Sequence, residues 1–153
     1  MDTSPTAIEK RLATFRQRCA QLGLALTPQR LAIYEVLAST GEHPGAEDIY
    51  QCLKPSIPSL SRGTVYRTLT LFENHGLVSR VHVSDEQARF DANLEDHHHL
   101  VCVRCQRVLD FQDARLDRLP FGDAAPGGFR ILGHRVHLLG LCPACQQQGG
   151  QTA

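Results

Sequence analysis

Asp96-His97-His98-His99-Leu100-Val101-Cys102-Val103-Arg104-Cys105 runs three consecutive histidines straight into a Cys-x-x-Cys pair. A second pair, Cys142-Pro143-Ala144-Cys145, answers it near the end of the chain, so four of the six cysteines sit in two knuckles. Four thiolates can hold one tetrahedral ion. Zinc fits best, because it accepts sulfur ligands and has no redox chemistry of its own. Such a closed site has no open position, so its role is to staple structure. The gap from Cys105 to Cys142 is longer than in a compact zinc ribbon, which predicts a site that pins the two ends of a small domain together. Two disulfides or a redox pair are the alternatives, and nothing in the sequence suggests the secretion that disulfides would need.

The histidines obey a different rule. In an extended segment, side chains alternate between faces, so His97 and His99 point one way while Asp96 and His98 point the other. One ribbon could then feed two metal sites. A solvated histidine run is the plain alternative, weakened by the adjoining Cys-x-x-Cys.

The chain has 153 residues, enough for one compact domain or two small ones, and 42% apolar content supports a core. Charge is balanced at 16 basic and 16 acidic residues. That is not the strong basic excess that advertises nucleic acid. Residues 1–80 carry nine Lys/Arg against seven Asp/Glu. A DNA partner would therefore need bound metal to neutralise carboxylates. The first residues include an acid and no apolar segment, unlike a signal peptide, and no apolar run reaches the length of a membrane span. The expectation is a cytoplasmic protein with reduced thiols and no membrane contact. Cys19 and Cys52 read as helix packing residues.

Along the chain, Ile8 to Leu22 has helical spacing of apolar residues, and Gly23 stops it. Thr27-Pro28 opens a second helix as N-cap and first residue. Ala46 to Leu53 is a short third helix. Arg62 to His75 is a fourth, with Val65, Leu69 and Phe72 inward and Gly76 as terminator. Leu77 to Val83 and Gln87 to Phe90 read as strands joined by the polar turn Ser84-Asp85-Glu86. Helices followed by a two-stranded ribbon is the order of a winged helix-turn-helix. In that order the helix before the ribbon enters the major groove. Arg62, Thr64, Tyr66 and Arg67 would then face DNA; an ordinary wet helix surface is the alternative. Further on, Leu100 to Val103, Arg107 to Phe111 and Phe129 to Leu141 look strand-like. Asp113 to Leu119 could form two helical turns, residues 120–128 a Gly/Pro-rich loop, and the residues after Cys145 a disordered tail.

Several of these segments together resemble one family. Thr27-Pro-Gln-Arg30, Thr64-Val-Tyr-Arg67, Arg89-Phe-Asp91, the histidine run with its Cys-x-x-Cys, and the last Cys-x-x-Cys are similar to motifs of the ferric uptake regulators, bacterial metal-dependent transcription repressors. The resemblance covers about residues 8–145. It implies an α+β chain with a winged-helix DNA-binding domain over residues 1–91 and a hinge at 92–96. A small α/β dimerisation and metal-binding domain with a four-cysteine zinc site then occupies 97–145, and a tail follows at 146–153. It also implies a homodimer on a palindromic double-stranded operator.

Carried over residue by residue, the resemblance places structural zinc on Cys102, Cys105, Cys142 and Cys145. It places a regulatory metal on His43, Asp91, His97, His99 and Asp110. A third site, filled in some members, falls on Asp96, His98, Asp117 and His134. An ion on the regulatory set would join the two halves and set the angle between the recognition helices of a dimer. Three imidazoles and two carboxylates without a thiolate suit Fe2+ or Mn2+, with zinc not excluded.

Peroxide sensors of the family carry Asp where iron sensors commonly carry Glu, and both positions here are Asp. The resemblance therefore points to a peroxide-responsive repressor in which bound ferrous iron reacts with hydrogen peroxide and a ligand, His43 or His97, is oxidised. Arg67 stands where some peroxide sensors have Asn, which keeps the iron-sensing regulator as the alternative. His82 and His137 match no family site. Two other classes remain. A zinc hydrolase lacks support, since no Glu stands as a base within the histidine run and no phosphate loop or nucleophile elbow occurs. A metal-buffering protein with a vestigial DNA-binding half would bind DNA only weakly.

Overall fold

The computed structural model describes residues 3–82, 88–118, 126–131 and 134–148. The polar turn expected at 84–86, most of the loop at 120–128 and the last five residues lie outside these. The chain divides into two units, Met1–Leu94 and Glu95–Ala153.

The first unit contains α1 (Pro5–Gln21), α2 (Pro28–Ser39), α3 (Ala46–Leu53), α4 (Arg62–Asn74), and the antiparallel pair β1 (Ser79–His82) and β2 (Ala88–Asp91). Helix boundaries follow local chemistry. The side chains of Ser4, Thr27 and Ser61 each accept a backbone N–H of the first turn, and Pro5 and Pro28 occupy positions where a missing N–H costs nothing. At the other end, Gly23 (φ 66°) and Gly76 (φ 62°) take the left-handed conformation. That lets Leu24 N–H reach the Cys19 carbonyl at 2.9 Å and Leu77 N–H the Phe72 carbonyl at 2.8 Å, closing α1 and α4 with the same motif.

The apolar faces meet in one core. Phe15 from α1 stacks on Tyr34 from α2 at 3.7 Å between ring centroids, and Phe72 from α4 meets Phe15 edge-on at 5.1 Å. Burial pushes the Tyr34 hydroxyl up to about 12. Val65, Leu69 and Phe72 are buried, as their spacing predicts, and Ile33, Leu37, Ile49 and Leu60 belong to the same cluster. This is a winged helix-turn-helix. Cys19 is buried in it, whereas Cys52 is exposed and does not pack as expected, because α3 turns that position to solvent.

The second unit is a three-stranded sheet in the order β4-β3-β5, formed by β3 (His98–Cys102), β4 (Val108–Phe111) and β5 (His137–Gly140). The central strand β3 runs antiparallel to β4 and parallel to β5. Helix α5 (Pro143–Gln148) follows, so Gln146–Gln148, expected in a disordered tail, instead extend a helix that carries Cys145. Two further expectations are corrected. Residues 114–118 form hydrogen-bonded turns rather than two turns of helix. The Asp113 carboxylate is taken by the Arg115 N–H and guanidinium, which favours a tight local turn over helix propagation. Among the described residues the strand expected over 129–141 is confined to β5, and Pro126–Gly128 is a short 3-10 turn in which Gly127 has φ 75°. Among the described residues no helix is long and apolar enough to cross a membrane.

The aromatic contact makes Phe72→Ala the severe core change. Truncating a buried phenylalanine costs about 3–5 kcal/mol. Urea denaturation of the variant is expected to show a loss of that size, with the three-stranded sheet still formed.

Candidate metal centres

The Cys knuckles are assembled by the sheet. β3 delivers Cys102, and the chain then turns through Cys105 to enter β4. That turn is closed by Gln106 N–H to the Cys102 carbonyl at 2.8 Å and Cys102 N–H to the Arg107 carbonyl at 2.9 Å. Gln106 adopts φ 60° there. On the other side β5 ends level with Cys102 and leads into Cys142 and the first turn of α5. The sulfurs of Cys102, Cys105, Cys142 and Cys145 all lie within 4.8 Å of one another. Cys105 Sγ and Cys142 Sγ are 3.6 Å apart. Four sulfurs about 2.3 Å from one zinc ion would sit about 3.8 Å from each other, so the spacing is that of a tetrahedral ligand set. It is not that of a bonded pair.

The electrostatics favour the same conclusion. Backbone N–H groups of Cys105 and then Cys142 lower the Cys102 thiol to about 6. The Cys145 N–H lowers Cys142 in the same way. Burial, followed by the neighbouring sulfurs, drives Cys145 up to about 12. The cluster therefore holds thiolate charge that its own members oppose, and a divalent cation resolves that conflict.

The expected regulatory residues are divided between the units, and each part converges. In the second unit His97 Nε2 and His99 Nε2 are 2.9 Å apart. Asp110 Oδ1 stands 3.6 Å from the first and 3.7 Å from the second. Asp110 arrives because β4 pairs it directly with His99. His97 Nδ1 lies 2.6 Å from the Glu95 carbonyl, which can only accept, so Nδ1 carries the proton and Nε2 presents its lone pair. All three side chains are nearly or fully buried.

In the first unit His43 Nε2 lies 3.6 Å from Asp91 Oδ2, both groups buried. Asp91 Oδ1 accepts the Asn93 N–H at 2.7 Å, which fixes the carboxylate plane and leaves Oδ2 directed at the imidazole. His43 has φ 51°, an uncommon conformation for a residue with a side chain.

The third expected set comes together only in part. His98 Nε2 is 3.0 Å from Asp117 Oδ1, and the His134 ring lies 6.0 Å away and nearly parallel. His134 Nε2 is 2.6 Å from the Leu116 carbonyl, and Asp96 is exposed. Among the described residues these four donors do not close to ligand distance. The alternation itself holds: His97 and His99 share one side of β3, and His98 meets Asp117 on the other. His137, outside every expected set, is exposed on β5 with its ring 5.1 Å from that of His99.

On α4, Tyr66 and Arg67 are exposed. Thr64 is half-buried and shares a 2.9 Å hydrogen bond with the Ser61 hydroxyl. Arg62 is differently placed from its neighbours. Its guanidinium donates twice to Glu47, at 2.8 and 2.9 Å, and lies 4.4 Å over the Tyr50 ring. No sequence signal pairs residues 47 and 62; they meet because α3 packs on α4.

The sequence model of the ferric uptake regulator family matches residues 21–139. The chain is 34% identical over 142 residues to the peroxide-responsive repressor PerR of Staphylococcus epidermidis, covering 93% of this chain and 92% of that protein. Among solved structures, the Vibrio cholerae ferric uptake regulator matches with a TM-score of 0.68 at 32% identity, over 82% of this chain and 98% of that one. The Pseudomonas aeruginosa ferric uptake regulator with manganese also has a TM-score of 0.68, at 31% identity, over 84% and 97%.

Cys102→Ser and Cys142→Ser are each expected to lose the most chelator-resistant equivalent of zinc, measured by elemental analysis after dialysis against a chelator. Retention of that equivalent in both variants would exclude the four-sulfur site.

Proposed function

This chain belongs to the ferric uptake regulator family, and we propose that it is a cytoplasmic, homodimeric, metal-dependent repressor that leaves its operator after reaction with peroxide. The observation that carries this reading is the chemistry of the two convergent donor groups, His43 with Asp91 and His97 with His99 and Asp110. They contain nitrogen and carboxylate oxygen and no thiolate, a set suited to Fe2+ or Mn2+. The likeness to a peroxide-responsive repressor across almost the whole chain points the same way.

The chain's own residues do three things. Cys102, Cys105, Cys142 and Cys145 clamp the ends of β3 and β5 to α5 and act as a structural zinc site. His97 and His99 present Nε2 lone pairs beside Asp110, oriented by the Glu95 carbonyl and by strand pairing. His43 and Asp91 supply the remaining donors from the winged-helix unit, so that one ion shared by both groups would hold residues 92–96 in a single conformation. In a dimer that conformation sets the spacing of the two α4 helices, which must match half-sites one turn of DNA apart. The exposed leucines Leu100, Leu109 and Leu138 lie side by side across the sheet and suit the subunit interface.

Ferrous iron, when bound, would supply one-electron chemistry that manganese does not: an electron lent to cleave the peroxide O–O bond is recovered from the ring, with no net oxidation of the ion. The two electrons that peroxide accepts thus come from the His43 or His97 imidazole, which gains one oxygen while the other leaves as water. The oxidised ring is a poorer ligand, the shared set is broken and the operator is released. Because the chain itself is altered, this is a single event and not turnover.

The second reading is an iron-sensing regulator. Arg67 and the similarity to two ferric uptake regulators above 30% identity favour it.

Mass spectrometry separates the two. Iron-loaded protein given stoichiometric peroxide is expected to gain one oxygen in a peptide carrying His43 or His97 and to lose operator affinity, while manganese-loaded protein keeps both. Unmodified iron-loaded protein that still holds DNA would establish the iron sensor instead.

On α4, Arg67→Ala is expected to weaken operator binding roughly tenfold or more in gel-shift titrations. Arg62→Ala should have a smaller effect, because Glu47 already occupies that guanidinium.

A further inference from the structure

We infer that Arg89 is the positioning residue for the His43–Asp91 half of the metal site. This rests on the reading of His43 as a ligand. His43 sits in the left-handed region, φ 51°, on a turn between α2 and α3. A residue with a side chain holds that conformation only where its surroundings impose it. The turn is docked on β2 by two backbone contacts, Phe90 N–H to the Pro44 carbonyl at 3.2 Å and a bridge between Gly45 and Arg89. Neither reaches the His43 peptide.

The Arg89 side chain does. Its Nη1 lies 3.4 Å from the His43 carbonyl and 3.1 Å from Asp48 Oδ2. The same Asp48 oxygen accepts the Gly45 N–H at 2.9 Å, at the start of α3. The guanidinium thus closes a circuit from the His43 peptide through Asp48 to Gly45. Asp91, the partner of His43, follows Arg89 two residues later on the same strand. One strand therefore carries a ligand and the clamp for the ligand facing it. Residues i and i+2 of a strand share a face, so the clamp and the carboxylate approach the turn from one side.

Removal of the guanidinium leaves the turn attached through its backbone contacts but releases the hold on the His43 carbonyl. The imidazole then samples orientations that do not meet Asp91, and metal affinity falls. Partners that orient metal ligands typically change affinity about 10–100-fold when lost. A residue that merely anchors the wing would lower thermal stability and leave affinity alone.

The test is Mn2+ affinity of the full-length, zinc-retaining protein, measured by titration with electron paramagnetic resonance detection of free ion. Arg89→Ala is expected to raise the Mn2+ Kd about tenfold or more, and Arg89→Lys to recover part of the loss. Chelator-resistant zinc and, at saturating Mn2+, operator affinity should be unchanged. Asp48→Asn keeps an acceptor for the Gly45 N–H while weakening the hold on Arg89. It should shift the Kd in the same direction by less, and it serves where Arg89→Ala does not fold. A folded Arg89→Ala or Asp48→Asn protein with the parental Kd overturns the inference. His43→Ala provides the separate check: a parental Kd there would remove His43 from the ligand set altogether, whereas a raised Kd beside an unaffected Arg89→Ala leaves the ligand reading intact and removes the clamp.

Discussion

The period-two alternation of one strand organises the second unit. β3 is central, so both its edges are paired and its register cannot slip without moving every side chain to the wrong face. That fixed register places His97 and His99 together on one side and sends His98 to Asp117 on the other. Pairing with β4 brings Asp110 opposite His99, and pairing with β5 brings Gly140 level with Cys102. Both donor clusters of this unit are consequences of the same hydrogen-bond ladder. A zinc staple at one end of β3 therefore also stabilises the imidazole geometry at the other end.

The first unit solves a different problem. It must hold a rigid reading helix on a small core, and it does so with three interlocking aromatic rings and two glycine-terminated helices. Its buried His43–Asp91 pair is built on the wing: Asp91 ends β2, and the turn bearing His43 is docked on that strand. The same turn leads directly into α3, and α3 grips the first residue of α4 through Glu47 and Arg62. A shift in the His43 turn therefore acts on α3 and, through it, on the start of the recognition helix. The hydrogen bonds and ion pair in that chain act beside the apolar packing of α3 on α4.

Local signals made much of this readable from the amino acids. Thr27-Pro28, Gly23 and Gly76 mark helix ends because capping depends on residue type and spacing alone. The Cys-x-x-Cys pairs and the alternating histidines are equally local, since a strand's two faces follow from sequence order. Long-range partners were not legible. Glu47 with Arg62, and Arg89 with Asp48, are 15 and 41 residues apart, and their meeting depends on how α3 packs. The placement of His134 has a related cause. The resemblance supplies donor types, but the Leu116 carbonyl lies against His134 Nε2, and no rule of spacing anticipates that contact. After Asp113 a local Asp–Arg hydrogen bond outcompetes a weak helical pattern, which spacing alone does not reveal.

Charge explains why DNA binding by such a chain should depend on metal at all. The net charge is zero, and the excess of basic residues over 1–80 is only two. Within that stretch Arg62 is engaged by Glu47 and Arg80 by Glu73, and beyond it Arg89 is engaged by Asp48. Attraction to phosphate scales with the number of cations able to displace counterions, and this protein has few to offer. A divalent ion held by Asp91 or Asp110 would cancel carboxylate charge. A chain with a large basic surface would hold DNA with or without its metal, and a switch built on it would leak. Near-neutrality suits the proposed switch: a protein field too weak to hold the duplex would leave geometry and charge supplied by the ion to decide the outcome.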